Sequence, residues 1–426
     1  MDNQTQSTDL SNSFAAGPVQ VQERVEVLDV IRGFALLGIL IVNMIWFSTP
    51  ALYLELLGKN MWTGFWDRTV SSVISLFIEG KFYTMFSFLF GLGFVIFYER
   101  AKTKTNSPTL LFYRRLFILL LIGLAHAFFI WYGDILVSYA LLGFLLPLFF
   151  NKKPKTLLIW AAVLFLILVS VVALGALSIM LEDEGAAWNS AAIMQSFVAD
   201  VENRLESSFY AYGQGTFAEI MAQRVSDNLF IYAHIYQVVF LILPLFLLGL
   251  YAGRRGVFKN TEENLVFIKK AWKWGFVIGF TMSIVSYISG NQMDPLFPSV
   301  YSVINLGAGI LGDTGLSIFY MASIVLLYQN REWILRLKPL AYMGRMPLSN
   351  YLLQSIICTT IFYSYGLGLY GQVGPAIGLV LAIVIFIAQI FISRYWLERY
   401  RFGPMEWIWR SLTYGKLSEM KIKNNS

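Results

Sequence analysis

The sequence predicts an all-α, polytopic membrane protein of about ten transmembrane helices, with both termini in the cytoplasm. Three observations carry that prediction. Of 426 residues, 57% are hydrophobic and 14% are charged, whereas soluble domains carry ~25% charged residues. Apolar runs long enough to cross ~30 Å of hydrocarbon as helix recur along the whole chain. Lysine and arginine collect between alternate runs, the asymmetry that orients membrane helices.

The runs lie near 29–49, 76–98, 115–132, 135–150, 157–180, 229–252, 273–290, 303–328, 341–365 and 375–394. Met1–Gln22 is polar and has no hydrophobic core of its own, so it reads as a flexible cytoplasmic tail and not a cleaved signal. With the N-terminus inside, 27 of the 32 basic residues fall on the cytoplasmic side; Lys59, Arg68, Lys81, Arg204 and Arg224 are the exceptions. The organisation is a tail (1–22), a transmembrane domain (23–394) with an acidic extracytoplasmic loop at 181–228, and a cytoplasmic interfacial tail (395–426). In that tail, Glu406 and Arg410 lie four apart among tryptophans after Pro404, the pattern of a short helix lying on the membrane surface.

Several function classes are excluded. One cysteine, Cys358, rules out an intramolecular disulfide framework and any multi-cysteine metal site, and two histidines leave little for a metal. The net charge of +6 is scattered between apolar stretches and forms no stripe for nucleic acid. There is no phosphate-binding Walker loop, dinucleotide fingerprint or His-Glu-x-x-His zinc motif.

A charge at the bilayer centre costs at least ~2.5–3.5 kcal/mol on insertion scales, so ionisable residues within spans point to function. Asp29 and Arg32 open the first span on one helical face and read as an ion pair at its cytoplasmic end or as substrate contacts. Asn43 near the other end reads as a helix-packing contact or a ligand. Glu79 and Lys81, two apart, would face different ways on a continuous helix, so they mark either a break at Gly80 or an interfacial anchor at the end of a shorter span, 82–98. His126 is the histidine well inside a span; imidazole exchanges a proton near neutral pH, as acyl transfer to a hydroxyl or amine demands, and a histidine buried simply to hydrogen-bond a neighbouring helix is the equal alternative. Asp134 lies eight residues on, so direct pairing requires a bend after Gly133, or another helix supplies the partner. His234 has an interfacial aromatic context. Asp313 stands at mid-membrane depth between Gly312 and Gly315, which could loosen the helix; it needs a partner or a wet cavity. Arg345, Asn350 and Gln354 open the ninth span and read as packing or substrate contacts.

Five ordered segments carry a resemblance: LDVIRGFALLGILIVN (28–43), GKFYTMFSFLFG (80–91), HAFFIWYGDILVSYALLG (126–143), GRMPLSNY (344–351) and FGPMEWIWR (402–410). Together they resemble the YeiB-like bacterial membrane proteins, whose C-terminal part is classed as a domain of unknown function. More remotely, the chain is similar to the transmembrane acyltransferase superfamily. That resemblance implies a helical fold passing an acyl group from a cytoplasmic thioester to an acceptor across the bilayer, with histidine chemistry in the membrane. The chain departs from that pattern: no histidine lies between Met1 and Ala125, and the role passes to His126 by residue type and depth.

The expectation is acyl transfer in the bacterial plasma membrane, with His126 as general base and Asp134 or Glu79 orienting it or binding the acceptor. Lys81 stands near the developing charge, and acyl-coenzyme A is a donor suited to the basic cytoplasmic face. The acceptor is a glycan, a lipid or a small molecule. A proton-coupled transporter using Glu79, Lys81, His126 and Asp313 is the alternative, and a non-catalytic structural protein is a third.

Overall fold

The computed structural model describes residues 25–422 except 182, 183, 234 and 260. The tail at 1–22 and His234 lie outside the described residues. In chain order the helices are α1 (Glu26–Ser48), α2 (Ala51–Leu56), α3 (Phe65–Phe77), α4 (Lys81–Lys102), α5 (Pro108–Phe129), α6 (Leu136–Gly143), α7 (Leu146–Phe150), α8 (Pro154–Met180) and α9 (Glu184–Gly213). They continue with α10 (Phe217–Ala233), α11 (Ile235–Arg254), α12 (Leu265–Gly290), α13 (Val300–Leu327), α14 (Arg331–Arg345), α15 (Pro347–Phe362), α16 (Pro375–Leu397) and α17 (Pro404–Tyr414). The protein is an all-α, multi-pass membrane protein.

Six of the described helices are long and apolar enough to cross a bilayer, or seven if the bent pair Phe217–Ala233 and Val238–Arg254 is one span. The ten apolar runs of the sequence exceed that number for local reasons. The run at 135–150 is split into α6, 8 residues, and α7, 5 residues. Pro347 closes the helix before it, so α15 is left with 16 residues. In α12, Lys269, Lys270 and Lys273 stand at one end and Ser283, Ser286 and Ser289 at the other, so a helix of sufficient length is too polar to qualify. The segment read as an acidic loop is instead folded as α9 and α10.

In lipid, apolar side chains gain little by leaving hydrocarbon for protein, so packing and interhelical hydrogen bonds hold helices together. Accordingly α1 runs through the middle, touching α4, α13, α14, α15 and α16. One core surrounds its outer half, with Phe47 against Trp131 at 3.9 Å between ring centroids. A second core joins its inner half to α4 and α13, and a third gathers α4, α5, α6, α8 and α11. Large apolar side chains remain outside on α8 (Ile159, Leu166, Val171, Leu174) and α16 (Ile377, Val380, Val384, Phe391), as lipid-facing helices require.

Two backbone features set the polar positions. Between α3 and α4 the chain breaks, as the Glu79–Lys81 spacing suggested, with Gly80 at φ +79°. Gly312 and Gly315 do not loosen α13, which is continuous; they let α12 approach, and a Cβ on Gly315 would lie 2.6 Å from the Cα of Gly279.

Candidate functional site

The site forms where α5 ends. The His126 carbonyl accepts from both Ile130 N and Trp131 N at 2.9 Å, and the helix stops there. The chain turns through 130–135 and starts α6. Asp134 caps that start, accepting from Leu136 N at 3.1 Å and Val137 N at 3.0 Å. The same carboxylate lies 3.1 Å from Nδ1 of His126, and both side chains are fully buried. The turn begins at Ile130, earlier than the bend after Gly133 that the sequence suggested, and the pair needs no other helix.

This arrangement fixes the chemistry of the imidazole. A carboxylate only accepts, so Nδ1 carries a proton, and in the neutral ring Nε2 then presents a lone pair. Nε2 has no hydrogen-bond partner among the described residues. The ring is 5.1 Å from that of Tyr351, whose hydroxyl donates to Gly133 O at 3.4 Å.

His126 lies on the wall of a cavity of about 720 Å³. Its other walls are apolar: Ile118 and Ile122 from α5, Leu353 from α15, Trp396 from α16, and Met405 from α17. Ser349 and Asn350 are the further polar residues on it. Leu121, Phe129 and Ile392 at its edge are exposed on helices long enough to cross the bilayer, so the cavity is a groove open sideways to lipid. From Ile118 to Phe129 the groove follows ~17 Å of helix at 1.5 Å per residue.

Residues that the sequence reading left aside hold the site. Arg224 and Asn228 of α10 are buried; Arg224 Nη1 donates to Phe129 O at 2.7 Å and Asn228 Nδ2 to Ala127 O at 2.9 Å. These are the carbonyls a helix leaves unpaired at its C-terminus. Nearby, Asp227 accepts from the Tyr53 and Tyr212 hydroxyls, each at 2.6 Å. One sequence signal marked this: Arg224 is among the five basic residues that violate the inside rule. Of the others, Arg204 pairs with Asp200, Lys59 with Glu202, and Lys81 is buried.

The remaining candidates fall elsewhere. Glu79 is exposed at the α3–α4 break and does not orient His126. Lys81 pairs with Asp313 at 3.0 Å and also donates to Ser75 O at 2.9 Å. It is not on the wall of the His126 groove. Asp29 and Arg32 pair at 2.9 Å, as their spacing predicts, with Asp29 buried. Asn43 is half-buried on α1, and Arg345 is half-buried at the end of α14. Asn350 donates to Met343 O and Ser393 Oγ, and Gln354 to Gln389 Oε1 at 3.0 Å, so both join α15 to neighbouring helices. Among the described residues no group of three or more His, Cys, Asp and Glu is placed to hold a metal.

On α17, Glu406 accepts from Leu348 N at 2.7 Å and Ser349 N at 3.1 Å, which docks the surface helix beneath the groove. Burial pushes its carboxyl above the usual range, against the pull of the Ser349 and Leu348 hydrogen bonds.

Comparison with known proteins gives the family. A model described as "Protein of unknown function (DUF418)" matches residues 252–416. Uncharacterized protein YxaH of Bacillus subtilis is 38% identical over 411 residues, covering 93% of this chain and 96% of its own. Uncharacterized protein YeiB of Escherichia coli is 28% identical, covering 92% and 96%. An uncharacterized 39.9 kDa protein in the amylase 3′ region of Bacillus acidopullulyticus is 26% identical, covering 96% and 99%. No solved structure matches. With nearly the whole length of such relatives matched, the chain belongs to the YeiB-like DUF418 family of membrane proteins.

Proposed function

We propose that this protein is an acyltransferase of the bacterial plasma membrane, moving an acyl group from a thioester such as acyl-coenzyme A to a hydroxyl or amine acceptor. The observation that carries this reading is the buried His126–Asp134 pair, with His126 on the lining of a groove open to lipid and its Nε2 without a hydrogen-bond partner among the described residues. As the acceptor oxygen or nitrogen attacks the thioester carbonyl, Nε2 takes its proton and Asp134 faces the imidazolium that forms. The carbon–sulfur bond then breaks, and the imidazolium returns the proton to the leaving thiolate. Products are an ester or amide and a free thiol, and the histidine ends as it began.

The groove favours a substrate with an apolar chain, so a lipid or a lipid-borne glycan is the acceptor it suits best. Arg115, over the Trp409 ring at 3.7 Å, and Arg410 give its α17 end a positive flank suited to an anionic donor. Proton-coupled transport has one observation in its favour, the Lys81–Asp313 pair within the spans. The two readings part in liposomes. Acyl transfer leaves a labelled product when radiolabelled acetyl-coenzyme A is supplied with lipid or glycan extract of the host, and needs no ion gradient. Transport gives solute flux that collapses with the proton gradient and leaves no covalent product, and that result would reject the acyltransferase.

A further inference from the structure

One end of the His126 groove is closed by α17, through Pro404, Met405 and Leu412. The basic-residue distribution places α17 on the cytoplasmic face. From there the groove follows α5 for ~17 Å, close to the ~15 Å of one leaflet in a hydrocarbon core of ~30 Å. Its side is open to lipid and its walls are apolar. A groove of that depth takes one hydrocarbon chain of the cytoplasmic leaflet, lying along α5.

Arg115 stands on α5 one turn below Ile118, where the headgroup of such a chain would be. Its guanidinium lies over the Trp409 ring at 3.7 Å and the Phe97 ring at 5.2 Å. Ring contacts of this kind engage the planar face and leave the N–H donors at the rim free to bond an anion. Among the described residues the side chain has no hydrogen-bond acceptor and no carboxylate partner; its carbonyl alone is engaged from outside α5, by Trp409 Nε1 at 2.8 Å. Arg115 is half-buried, so the rim can be reached. The charges that act on it have its own sign: Arg410 of α17 and Arg32 of α1, the latter already paired with Asp29. Arg114 lies against Gly415 at the end of α17. The far end of the groove, at Phe129 and Ile130, has no lysine or arginine on its lining.

Energetics decide which part of an occupant is recognised. A chain that leaves the bilayer for the groove exchanges one hydrocarbon contact for another and gains little. A phosphate beside an arginine at the membrane surface gains about fivefold in occupancy. Selectivity therefore lies in the headgroup. A soluble phosphate would meet the arginines and leave the groove unfilled, and a zwitterionic lipid would bring its own cation to them. An anionic phospholipid matches both parts. Its headgroup would stay ~16 Å from His126, eleven residues along α5, so it is not the acyl acceptor.

We propose that an anionic phospholipid of the cytoplasmic leaflet is the resting occupant of the groove, its phosphate on Arg115 and one chain reaching the depth of His126. The proposal concerns binding alone and does not depend on acyl transfer. A substrate bound for His126 has to displace that chain.

The test uses the full chain in phosphatidylcholine nanodiscs. A small fraction of phosphatidylglycerol, or of phosphatidylcholine, carries a diazirine at the end of one acyl chain, and the residues labelled on irradiation are read by mass spectrometry. Phosphatidylglycerol should label α5 between Ala125 and Ile130 about fivefold more than phosphatidylcholine, the worth of one arginine–phosphate contact. Arg115→Gln should bring the two lipids to parity, and Arg115→Lys, which keeps the charge, should preserve most of the difference. On the wild type, about 1 M sodium chloride should narrow it too, so the result does not hang on one variant folding. Equal labelling by the two lipids would mean ordinary bilayer contact and would overturn the proposal. So would a difference that Arg115→Gln leaves intact, or label confined to other lipid-facing helices. Loss of the label in millimolar inorganic phosphate would reveal a site for a soluble anion instead.

Discussion

Replacing Asp134 separates the structural and the chemical parts of the site. Its carboxylate accepts three hydrogen bonds, from Leu136 N, Val137 N and His126 Nδ1. Asp134→Ala loses all three. The helix cap is worth ~0.5–2 kcal/mol, and the imidazole N–H left buried without an acceptor costs ~1–3 kcal/mol. The sum, roughly 1.5–5 kcal/mol, should appear as earlier unfolding in detergent titration of the purified protein. Asp134→Asn keeps a carbonyl for part of this role and should lose only about 1 kcal/mol. It also removes the negative charge that faces the imidazolium, so acyl transfer should fall ~10²–10⁴-fold, the worth of the proton-transfer step. Transfer at the wild-type rate by a folded Asp134→Asn protein would refute the assignment of Asp134 as the group that orients and balances His126.

Three further outcomes follow from the same geometry. Lys81→Met strands the Asp313 carboxylate and should destabilise the protein by ~3–5 kcal/mol, and Asp313→Leu in the same chain should recover most of that; a double variant as unstable as the single one would show that the pair is not the partner that matters. Arg224→Gln breaks a charge-assisted bond to Phe129 O, worth ~1.5–3 kcal/mol, and should reduce transfer without touching substrate; unchanged thermal stability would contradict this reading. Glu406 has a folded-state pKa above its ordinary value, so its contribution to stability is full below about pH 4.3 and is lost as pH rises through the raised value. Glu406→Gln should therefore flatten the pH dependence of unfolding above the ordinary carboxylate range, and an unaltered profile would locate that dependence elsewhere.

Much of the architecture was legible in the chain. Apolar runs and the inside excess of basic residues set the class, and i,i+3 spacing gave the Asp29–Arg32 pair. The spacing of Glu79 and Lys81 around Gly80 allowed either a break before α4 or an anchor at the end of a shorter span, and the structure has the break. What was not legible turns on contacts between distant segments. Nothing local tells that Lys81 meets Asp313, 232 positions on, because neither residue's neighbours carry the other's signal. The His126–Asp134 contact was open for a different reason: eight residues are two turns in a helix, and only the early stop at Ile130 folds the chain back. The helices α9 and α10 were hidden because acidic, polar helices have the composition of loops. Their buried Arg224 and Asn228 follow the tertiary fold, with the exception to the inside rule as the one trace left in the sequence.

The central claim is that His126 is the base of an acyl transfer. The direct measurement is the rate of label transfer from acetyl-coenzyme A to host lipid or glycan in liposomes, for wild type and His126→Ala side by side. Both proteins are first shown to insert and unfold alike. The account predicts product from the wild type and a loss of ~10²–10⁴-fold in the variant. Equal transfer by the two proteins would contradict it.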